Sequence, residues 1–375
     1  MKKFLMILLA FVALLALVAC SKQDDTKDDG KKDDATAEIA VVTDIGQLRD
    51  GGFNEGTYTG VENYAKANNK TYAYYQPKNG NNATDNDRVA AMELAIENGA
   101  KVIVLPGFLQ YAALNQVATA NPDVKFIFVD GWNFGLQNVT AISYKEQESG
   151  FLAGYAAVKD GYTKLGGTFG GGGSNAACNR FAYGYVQGAS AAALEMDKVV
   201  DVKVSFNYGA GFSASPELAA QMSAWYQSGI EVIFSCGGSM LQSVKSASAE
   251  NGGGKIIGVD VDQAGESENV ITSAVKGLAA SVEKVLGEYY AGKWDAELAD
   301  KTSNLGAADN ATGLPTADAS WRFKTFTKAE YEALFAKIVS GEVTILSDTP
   351  EMMDDQVVWT VINLALPGVN ITLDK

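Results

Sequence analysis

Short apolar runs that end in an acidic or small residue alternate with stretches of helical spacing along most of this chain. IAVVTD, at residues 39–44, has the continuous apolar character of a strand buried on both faces, and it ends in an aspartate. The stretch that follows places Thr57, Val61 and Ala65 on one helical face. Strands that alternate with amphipathic helices predict parallel sheets with right-handed crossovers.

The strand and helix pattern is present twice, because residues 72–130 recur as residues 202–260 at a constant offset of 130. Each copy has three strands separated by helices, and its third strand ends in an aspartate, Asp130 or Asp260. The residues that recur just upstream are Phe53, Gly56, Gly60 and Lys70, matched by Phe181, Gly184, Gly188 and Lys198. This duplication predicts an α/β protein of two similar doubly wound parallel-sheet lobes joined by a hinge, which closes on a small ligand.

The repeat ends after Asp260, and the segments that follow must be assigned separately. Apolar positions from 275 to 289 form one helical stripe that belongs to neither copy, so we expect this segment to cross back and pack on the first lobe. The predicted first lobe comprises residues 37–142 and 263–312, and the second comprises residues 143–262 and 313–375. VTILSD and VVWTVINL, near the C-terminus, predict late strands.

The N-terminus predicts export and anchoring. Lys2 and Lys3 precede an apolar run at residues 4–18 that is too short to be read as a transmembrane helix, which is typical of a signal peptide at residues 1–19. The ending Leu-Val-Ala-Cys resembles a bacterial lipobox, which implies a lipidated Cys20 on the extracytoplasmic side of the membrane. Residues 21–36 are charged and polar, which predicts a disordered tether. The alternative is an ordinary signal peptide, with Cys20 as an unmodified thiol.

Composition excludes several function classes. The formal net charge of −15 argues against nucleic acid, because phosphate binding needs clustered Lys and Arg. The chain has no histidine, so Ser-His-Asp and Cys-His nucleophile systems and His-containing zinc sites cannot be built. We predict no metal and no cofactor. Cys178 and Cys236 could pair in an oxidising compartment or simply pack, and their spacing does not decide between the two.

Polar, aromatic and glycine residues collect where the predicted strands end, which is the edge at which doubly wound sheets bind ligands. The residues expected there include Asp44, Asp50, Phe53, Asn54, Asp130, Trp132, Phe212, Gly238, Asp260, Asp262 and the run from Gly170 to Asn175. Such a mixture suits a neutral, flat, polyhydroxylated ligand. A strand-terminal aspartate can instead be only a helix cap, and the glycine run lacks the Lys-Ser/Thr of a phosphate loop, so it can be only a turn.

The segment VVTDIGQLRDGGFNEGTYTGVENYA resembles the opening of the basic membrane protein family of lipoproteins. The resemblance continues through FIFVDG, ESGFLAGYAA, GFSASPELAAQM, EVIFSCGG, IIGVDVDQ and VITSAVKG, and it covers roughly residues 39–294. It implies a substrate-binding lipoprotein of an ABC transporter, with the type I periplasmic-binding fold, that binds a purine nucleoside and passes it to a permease.

The same resemblance implies a role for each candidate residue. Phe53 and Phe212 would sandwich the base, and Asn54 and Asp130 would bind its edge. The residues that would hold the ribose are Asp44, Gly238, Asp260 and Lys276. The chain departs from the family at Gly52, where serine is usual, and around Gly238, which leaves ligand identity open.

The sequence is also compatible with three other functions. One alternative is a receptor of the same fold for a pentose, a hexose or a related signal. Another is a surface enzyme that acts on nucleosides, because paired aspartates can serve as acid and base. A third is an adhesin whose cleft is vestigial.

Overall fold

A computed structural model describes residues 36–45, 47–207, 211–347 and 366–374. The described residues do not include the predicted signal peptide, the predicted lipidation site at Cys20, most of the predicted tether or the predicted late strand VVWTVINL. The predicted strand VTILSD is wrong for its described part, because residues 344–347 take no regular structure. Within the described residues no helix is long and apolar enough to span a bilayer.

The strands form two sheets. In chain order they are β1 (Ile39–Val42), β2 (Tyr72–Tyr75), β3 (Val102–Pro106), β4 (Lys125–Val129), β5 (Val139–Tyr144), β6 (Lys164–Phe169), β7 (Val200–Ser205), β8 (Val232–Cys236), β9 (Lys255–Asp260), β10 (Val270–Lys276), β11 (Thr302–Leu305), β12 (Thr312–Gly313) and β13 (Val369–Leu373). Their order is β11-β5-β4-β3-β1-β2 in the first sheet and β12-β10-β9-β8-β6-β7-β13 in the second. All described pairings are parallel except that of β12 with β10, which is antiparallel.

Helices cover both faces of the sheets. In chain order they are α1 (Phe53–Ala67), α2 (Asp85–Glu97), α3 (Tyr111–Ala120), α4 (Glu146–Lys159), α5 (Ala176–Glu195), α6 (Pro216–Gln227), α7 (Met240–Glu250), α8 (Leu278–Tyr290) and α9 (Lys328–Val339). Polar side chains fix where several of them begin. The Asn175 side chain accepts the first-turn amide of Cys178 at 2.7 Å, and Ser215 accepts that of Leu218 at 3.0 Å.

The central strands of the two sheets follow the same order. The first lobe has β2-β1-β3-β4-β5 and the second has β7-β6-β8-β9-β10. In each sheet the strand order therefore reverses beside the first strand of the lobe, which is β1 or β6. Parallel strands present their carboxyl ends at one edge, and in doubly wound sheets the ligand crevice opens outside that edge. The predicted fold class, two similar doubly wound α/β lobes, is confirmed.

The lobe assignment of residues 263–312 is wrong for β10, whereas β11 in the same range does lie in the first sheet. β10 lies in the second sheet, where Ala274 pairs with Val259 of β9. Its buried apolar residues complete that sheet before the chain returns to the first lobe as α8, whose Val282 packs with Val61 of α1. Lys276, at the end of β10, therefore belongs to the second lobe.

Glycines allow α4 and α5 to pack backbone to backbone. A Cβ on Gly154 would stand 2.1 Å from the Tyr185 carbonyl oxygen, and one on Gly188 would stand 1.9 Å from the Phe151 carbonyl oxygen. Such distances are too short for any other residue. This glycine seam brings the first turns of α4 and α5 together beside the carboxyl end of β10.

Candidate functional site

A cleft of about 840 Å³ lies between the carboxyl ends of the two sheets. Its volume falls in the range of about 300–1,000 Å³ that is usual for small-molecule sites. All eight ligand-binding residues predicted from the sequence line it: Asp44, Phe53, Asn54, Asp130, Phe212, Gly238, Asp260 and Lys276. The structure therefore brings the predicted set together, and the contacts of each residue with a ligand remain predictions.

Among the described residues, four phenylalanine rings line the cleft, and one of them, Phe181, is almost fully buried. Phe53 is the first residue of α1, and Phe212 precedes α6 in the second lobe; both are half-buried. Phe108 lines the same cavity and meets the Phe212 ring edge-on at 6.4 Å between centroids. Phe108 was not predicted from the sequence, although it comes just after β3 and so stands at a strand end.

Glycines make room for the Phe212 ring. A Cβ on Gly170 would lie 2.4 Å from the ring, and one on Gly238 would lie 2.7 Å from the Phe212 carbonyl oxygen. Gly238 also has a φ of +40°, in the left-handed region that favours glycine. The glycine run and Gly238 thus shape the loop that presents Phe212 to the cleft.

Asn54 has one side-chain atom engaged and one open. Its Nδ2 donates to the carbonyl oxygens of Ile45 and Gln47, at 3.2 and 3.4 Å, which holds the amide in place. Its Oδ1 is buried and has no hydrogen-bond partner within the described residues. A buried acceptor without a donor costs free energy, so this oxygen is suited to a ligand N–H or O–H.

Lys276 joins the strand-terminal aspartates of the two lobes. Its Nζ donates to Asp130 Oδ2 at 2.7 Å and lies 3.4 Å from Asp260 Oδ1. It also lies 4.7 Å from the centroid of the Phe53 ring. Asp130 Oδ1 is buried without a hydrogen-bond partner in the described part of the chain, which leaves a second open acceptor in the cleft besides Asn54 Oδ1.

A buried ion pair behind the cleft supports Lys276. Glu146, at the start of α4, is fully buried, and its Oε1 lies 3.6 Å from Lys276 Nζ. Its Oε2 accepts from Arg180 Nε at 2.6 Å. Neither residue was predicted from the sequence. A signal was present for Glu146, because it continues the four-residue spacing of Gly150 and Gly154 and so lies on the face of α4 that packs on α5.

Burial and charge shift the pKa values around Lys276. Burial opposes protonation of Lys276, but the carboxylates of Asp130, Asp260 and Glu146 outweigh it and raise the lysine pKa well above its usual value. Burial raises the pKa of Asp130 to about 6, against the opposing effect of Lys276. It also raises the pKa of Asp260. At neutral pH the lysine stays charged and Asp130 is mostly ionised.

Two further acids stand on the first-lobe side of the cleft. Burial raises the pKa of Asp44 to about 7, although its Oδ1 accepts the Ile45 amide at 2.6 Å. Burial also raises the pKa of Asp50 to about 6. Asp50 accepts amides of Gly52, Asn54 and Glu55 at 2.9–3.1 Å, so it caps α1 and fixes the position of Phe53.

Several contacts cross from one lobe to the other, so the cleft is closed. Lys276 reaches Asp130, Phe212 touches Phe108, and Gln263 Nε2 donates to the Gly51 carbonyl oxygen at 2.8 Å. Each contact joins a first-lobe segment after β1, β3 or β4 to a second-lobe residue at or after the end of a strand. Opening the lobes would break all three.

Trp132 was expected at the cleft, and the pairing of the two cysteines was left open. Trp132 does not line the cavity; it is exposed and packs on Tyr111, with centroids 5.1 Å apart. Cys178 and Cys236 do line the cavity, as free thiols whose sulfurs are 3.9 Å apart.

Comparison with known proteins shows which family the chain resembles. The family described as "ABC transporter substrate-binding protein PnrA-like" matches residues 37–348. The "ABC transporter nucleoside-binding protein BmpA" of Lactococcus lactis is 32% identical over 311 residues, which are 77% of this chain and 84% of that protein. "Basic membrane protein D" of Borreliella burgdorferi is 30% identical over 312 residues, which are 81% of this chain and 84% of that protein.

A solved structure supports the fold independently. A solute-binding protein of an ABC transporter system from Aeropyrum pernix superposes with a TM-score of 0.70 and 20% identity, covering 87% of this chain and 97% of that one. At this identity the likeness concerns architecture alone, which is the type I periplasmic-binding fold expected from the sequence. The matched family consists of substrate-binding proteins and not of enzymes.

Proposed function

The chain belongs to the family of PnrA-like ABC transporter substrate-binding proteins, and on that premise we propose that it is a nucleoside receptor. It captures a nucleoside, preferably a purine nucleoside, between its lobes and delivers it to an ABC permease. A lipid on Cys20 holds it on the extracytoplasmic face of a bacterial membrane, and the charged tether lets the lobes stand off that surface. It performs no chemistry on the ligand.

The observation that carries this proposal is the combination of aromatic rings with unpartnered acceptors in one closed cleft. Phe53 and Phe212 offer faces for a flat ring, one from each lobe. Within the described residues, Asn54 Oδ1 and Asp130 Oδ1 are buried acceptors without donors. A nucleobase supplies the missing complement, because it has a π-face for stacking and N–H groups at its edge.

The charged end of the cleft suits a ribose. Asp260 accepts from hydroxyl groups, and the Lys276 ammonium donates to them. The carboxylates around Lys276 outnumber it, because Glu146 is a third acid within 3.6 Å. This excess of negative charge disfavours a phosphate in the same place, so we expect a nucleoside to bind in preference to its nucleotide.

One relative supports this choice of ligand, because the Lactococcus lactis protein is described as nucleoside-binding. The sequence motifs shared with the family include those that supply Asp44, Phe53, Asn54, Asp130 and Asp260.

Calorimetric titration tests the proposal. The full chain is unfolded and refolded to remove any carried-over ligand, and it is titrated with adenosine, guanosine, inosine, cytidine, uridine and ribose. We expect at least one purine nucleoside to bind, and ribose alone to bind much more weakly. In Phe53→Ala the affinity should fall about 10- to 100-fold, in line with about 1–3 kcal/mol for base stacking.

Phe134→Ala is the matched control, because Phe134 lies in the same lobe but packs on Tyr111 outside the cavity. It should bind as the unmodified protein does. Binding of ribose with no response to any nucleoside would replace the proposal by the sugar-receptor alternative. Conversion of a bound nucleoside to products during prolonged incubation would favour the enzyme alternative.

A further inference from the structure

Two free cysteines meet at the floor of the cleft in the second lobe. Cys178 lies in the first turn of α5 and Cys236 is the last residue of β8; both are buried and both line the cavity. Their sulfur atoms are 3.9 Å apart. They stand between β6 and β8, where the strand order of the second sheet reverses and ligands of doubly wound sheets are bound.

The separation of the sulfurs is a non-bonded contact that a modest movement converts to a bond. A disulfide needs about 2.05 Å between the sulfurs. Cys236 pairs with Phe169 of β6 within the sheet, whereas Cys178 follows a loop in which Gly171, Gly172 and Gly173 all have positive φ. We expect the first turn of α5, and not the strand, to shift when the bond forms.

We propose that Cys178 and Cys236 form a reversible disulfide in exchange with a low-molecular-weight disulfide, and that the bond weakens ligand binding in the cleft. The second half of this proposal rests on the proposed receptor function. The extracytoplasmic location proposed above is a compartment in which disulfides form and persist. The cleft itself gives the oxidant its route to the two thiols.

The exchange takes place in two balanced steps. The Cys178 thiolate attacks one sulfur of the small disulfide, forms a mixed disulfide and releases one small thiol. Cys236 then loses its proton, attacks the Cys178 sulfur and expels the second small thiol. Two cysteine S–H bonds are replaced by one S–S bond, and the two protons leave on the two released thiols. Burial raises the pKa of the Cys236 thiol. Cys178 is the more exposed of the two, at 6% against 1%, so we expect it to react first.

Bond formation would disturb the charged end of the cleft because the same turn of α5 carries its supports. Arg180 holds Glu146 at 2.6 Å, and the Phe181 ring lies 5.6 Å from Lys276 Nζ. Drawing Cys178 toward Cys236 moves both of these residues relative to Lys276. We therefore expect the oxidised protein to bind its nucleoside about tenfold more weakly, which is a cost of about 1.4 kcal/mol.

The test uses the full chain with Cys20→Ser, so that the thiols counted are those of Cys178 and Cys236. The protein is incubated with oxidised glutathione, its free thiols are counted and its intact mass is measured. We expect both thiols to disappear together with a mass loss of two hydrogens, and both to return with dithiothreitol. Survival of the thiols, or a glutathione adduct that persists on Cys178, would overturn the disulfide.

The nucleoside affinity is then measured in the reduced, oxidised and re-reduced protein. Equal affinities in all three would overturn the effect on binding, even if the disulfide forms. Cys178→Ser and Cys178→Ala are two independent variants without the attacking thiol, so oxidised glutathione should leave the affinity where it was in that variant. Failure of the reduced protein to bind any nucleoside would refute the receptor function, while the thiol count and the mass would still decide whether the disulfide exists.

Discussion

The two lobes share a strand order but carry different chemistry at the ends of their strands. Asp130 and Asp260 terminate equivalent strands, and both have positive φ, +57° and +68°. Asp50 and Cys178 are related by 128 positions, the offset that also relates Phe53 to Phe181. The first lobe thus places an acid where the second places a thiol. Duplication preserved the geometry that delivers side chains to the cleft, and the side chains then diverged.

The helix pairs beside the cleft differ in the same way. In the first lobe Gly60 of α1 packs on α8, where a Cβ would lie 2.6 Å from the Ala279 carbonyl oxygen. In the second lobe the equivalent Gly188 of α5 packs still closer to α4, because a Cβ there would lie 1.9 Å from the Phe151 carbonyl oxygen. The tighter pair holds the Glu146–Arg180 ion pair. A cleft assembled from two unlike halves can recognise an asymmetric ligand with a ring at one end and hydroxyls at the other.

The largest expected effect comes from removing the charge that the lobes share. Lys276→Met leaves Asp130, Asp260 and Glu146 as buried acids without their lysine. We expect nucleoside affinity to fall more than about 100-fold and the free energy of unfolding to fall by about 3–5 kcal/mol. Calorimetry and urea denaturation measure the two quantities.

Lys245→Met is the control, because Lys245 makes a partly exposed ion pair with Glu266 at 2.9 Å. Its loss should cost less than about 1 kcal/mol. Equal behaviour of the two variants would show that the Lys276 cluster does not hold the lobes together.

The glycine contacts test whether the second lobe is the more tightly packed. Gly188→Ala should lower the free energy of unfolding by about 3 kcal/mol and Gly60→Ala by about 2 kcal/mol, because each methyl group meets a backbone atom that cannot move aside. Gly265→Ala, where a Cβ meets nothing within 4 Å, should change it by less than about 0.5 kcal/mol. A reversed order of the first two variants in urea denaturation would contradict the comparison.

The strand-terminal aspartates test the symmetry of the cleft. Asp130 contacts Lys276 at 2.7 Å and has an open oxygen, whereas Asp260 lies 3.4 Å from the lysine. Asp130→Asn should therefore weaken nucleoside binding by about 2–3 kcal/mol and Asp260→Asn by about 1–2 kcal/mol, measured by calorimetry. A larger loss in Asp260→Asn would place the main ligand contacts on the second lobe.

The smallest effect concerns pH and the acids of the first lobe. The folded-state pKa of Asp44 is about 7, above its ordinary value of 3.8, so the folded state binds this proton more tightly than the unfolded state. Its contribution to stability is fullest below pH 4 and is lost as pH rises toward 7. Asp44→Asn should remove this loss, so its advantage over the unmodified protein grows by roughly 1 kcal/mol between pH 4.5 and 5.5. Urea denaturation of both proteins across this range that gives parallel curves would contradict the assignment.

Much of the architecture was predictable because it is written in local patterns. Apolar runs ending at Asp44, Asp130 and Asp260 predicted buried parallel strands, and the offset of 130 predicted two lobes. The eight candidate residues were found because they lie at or after strand ends or within shared family motifs. The assignment of residues 263–312 failed because strand pairing is a long-range choice: β10 pairs with β9 through contacts that its own sequence does not specify.

The alternation of strands and helices, the duplication, the lack of histidine chemistry and the family can all be recognised in the order of the amino acids. Three features emerge only from the folded chain: Lys276 lies between Asp130 and Asp260, Glu146 and Arg180 stand behind it, and Cys178 and Cys236 meet as free thiols. Local periodicity indicates which face of an element is buried, whereas distances between side chains depend on how separate elements pack. In this protein the glycine seam between α4 and α5 and the closed lobes set those distances.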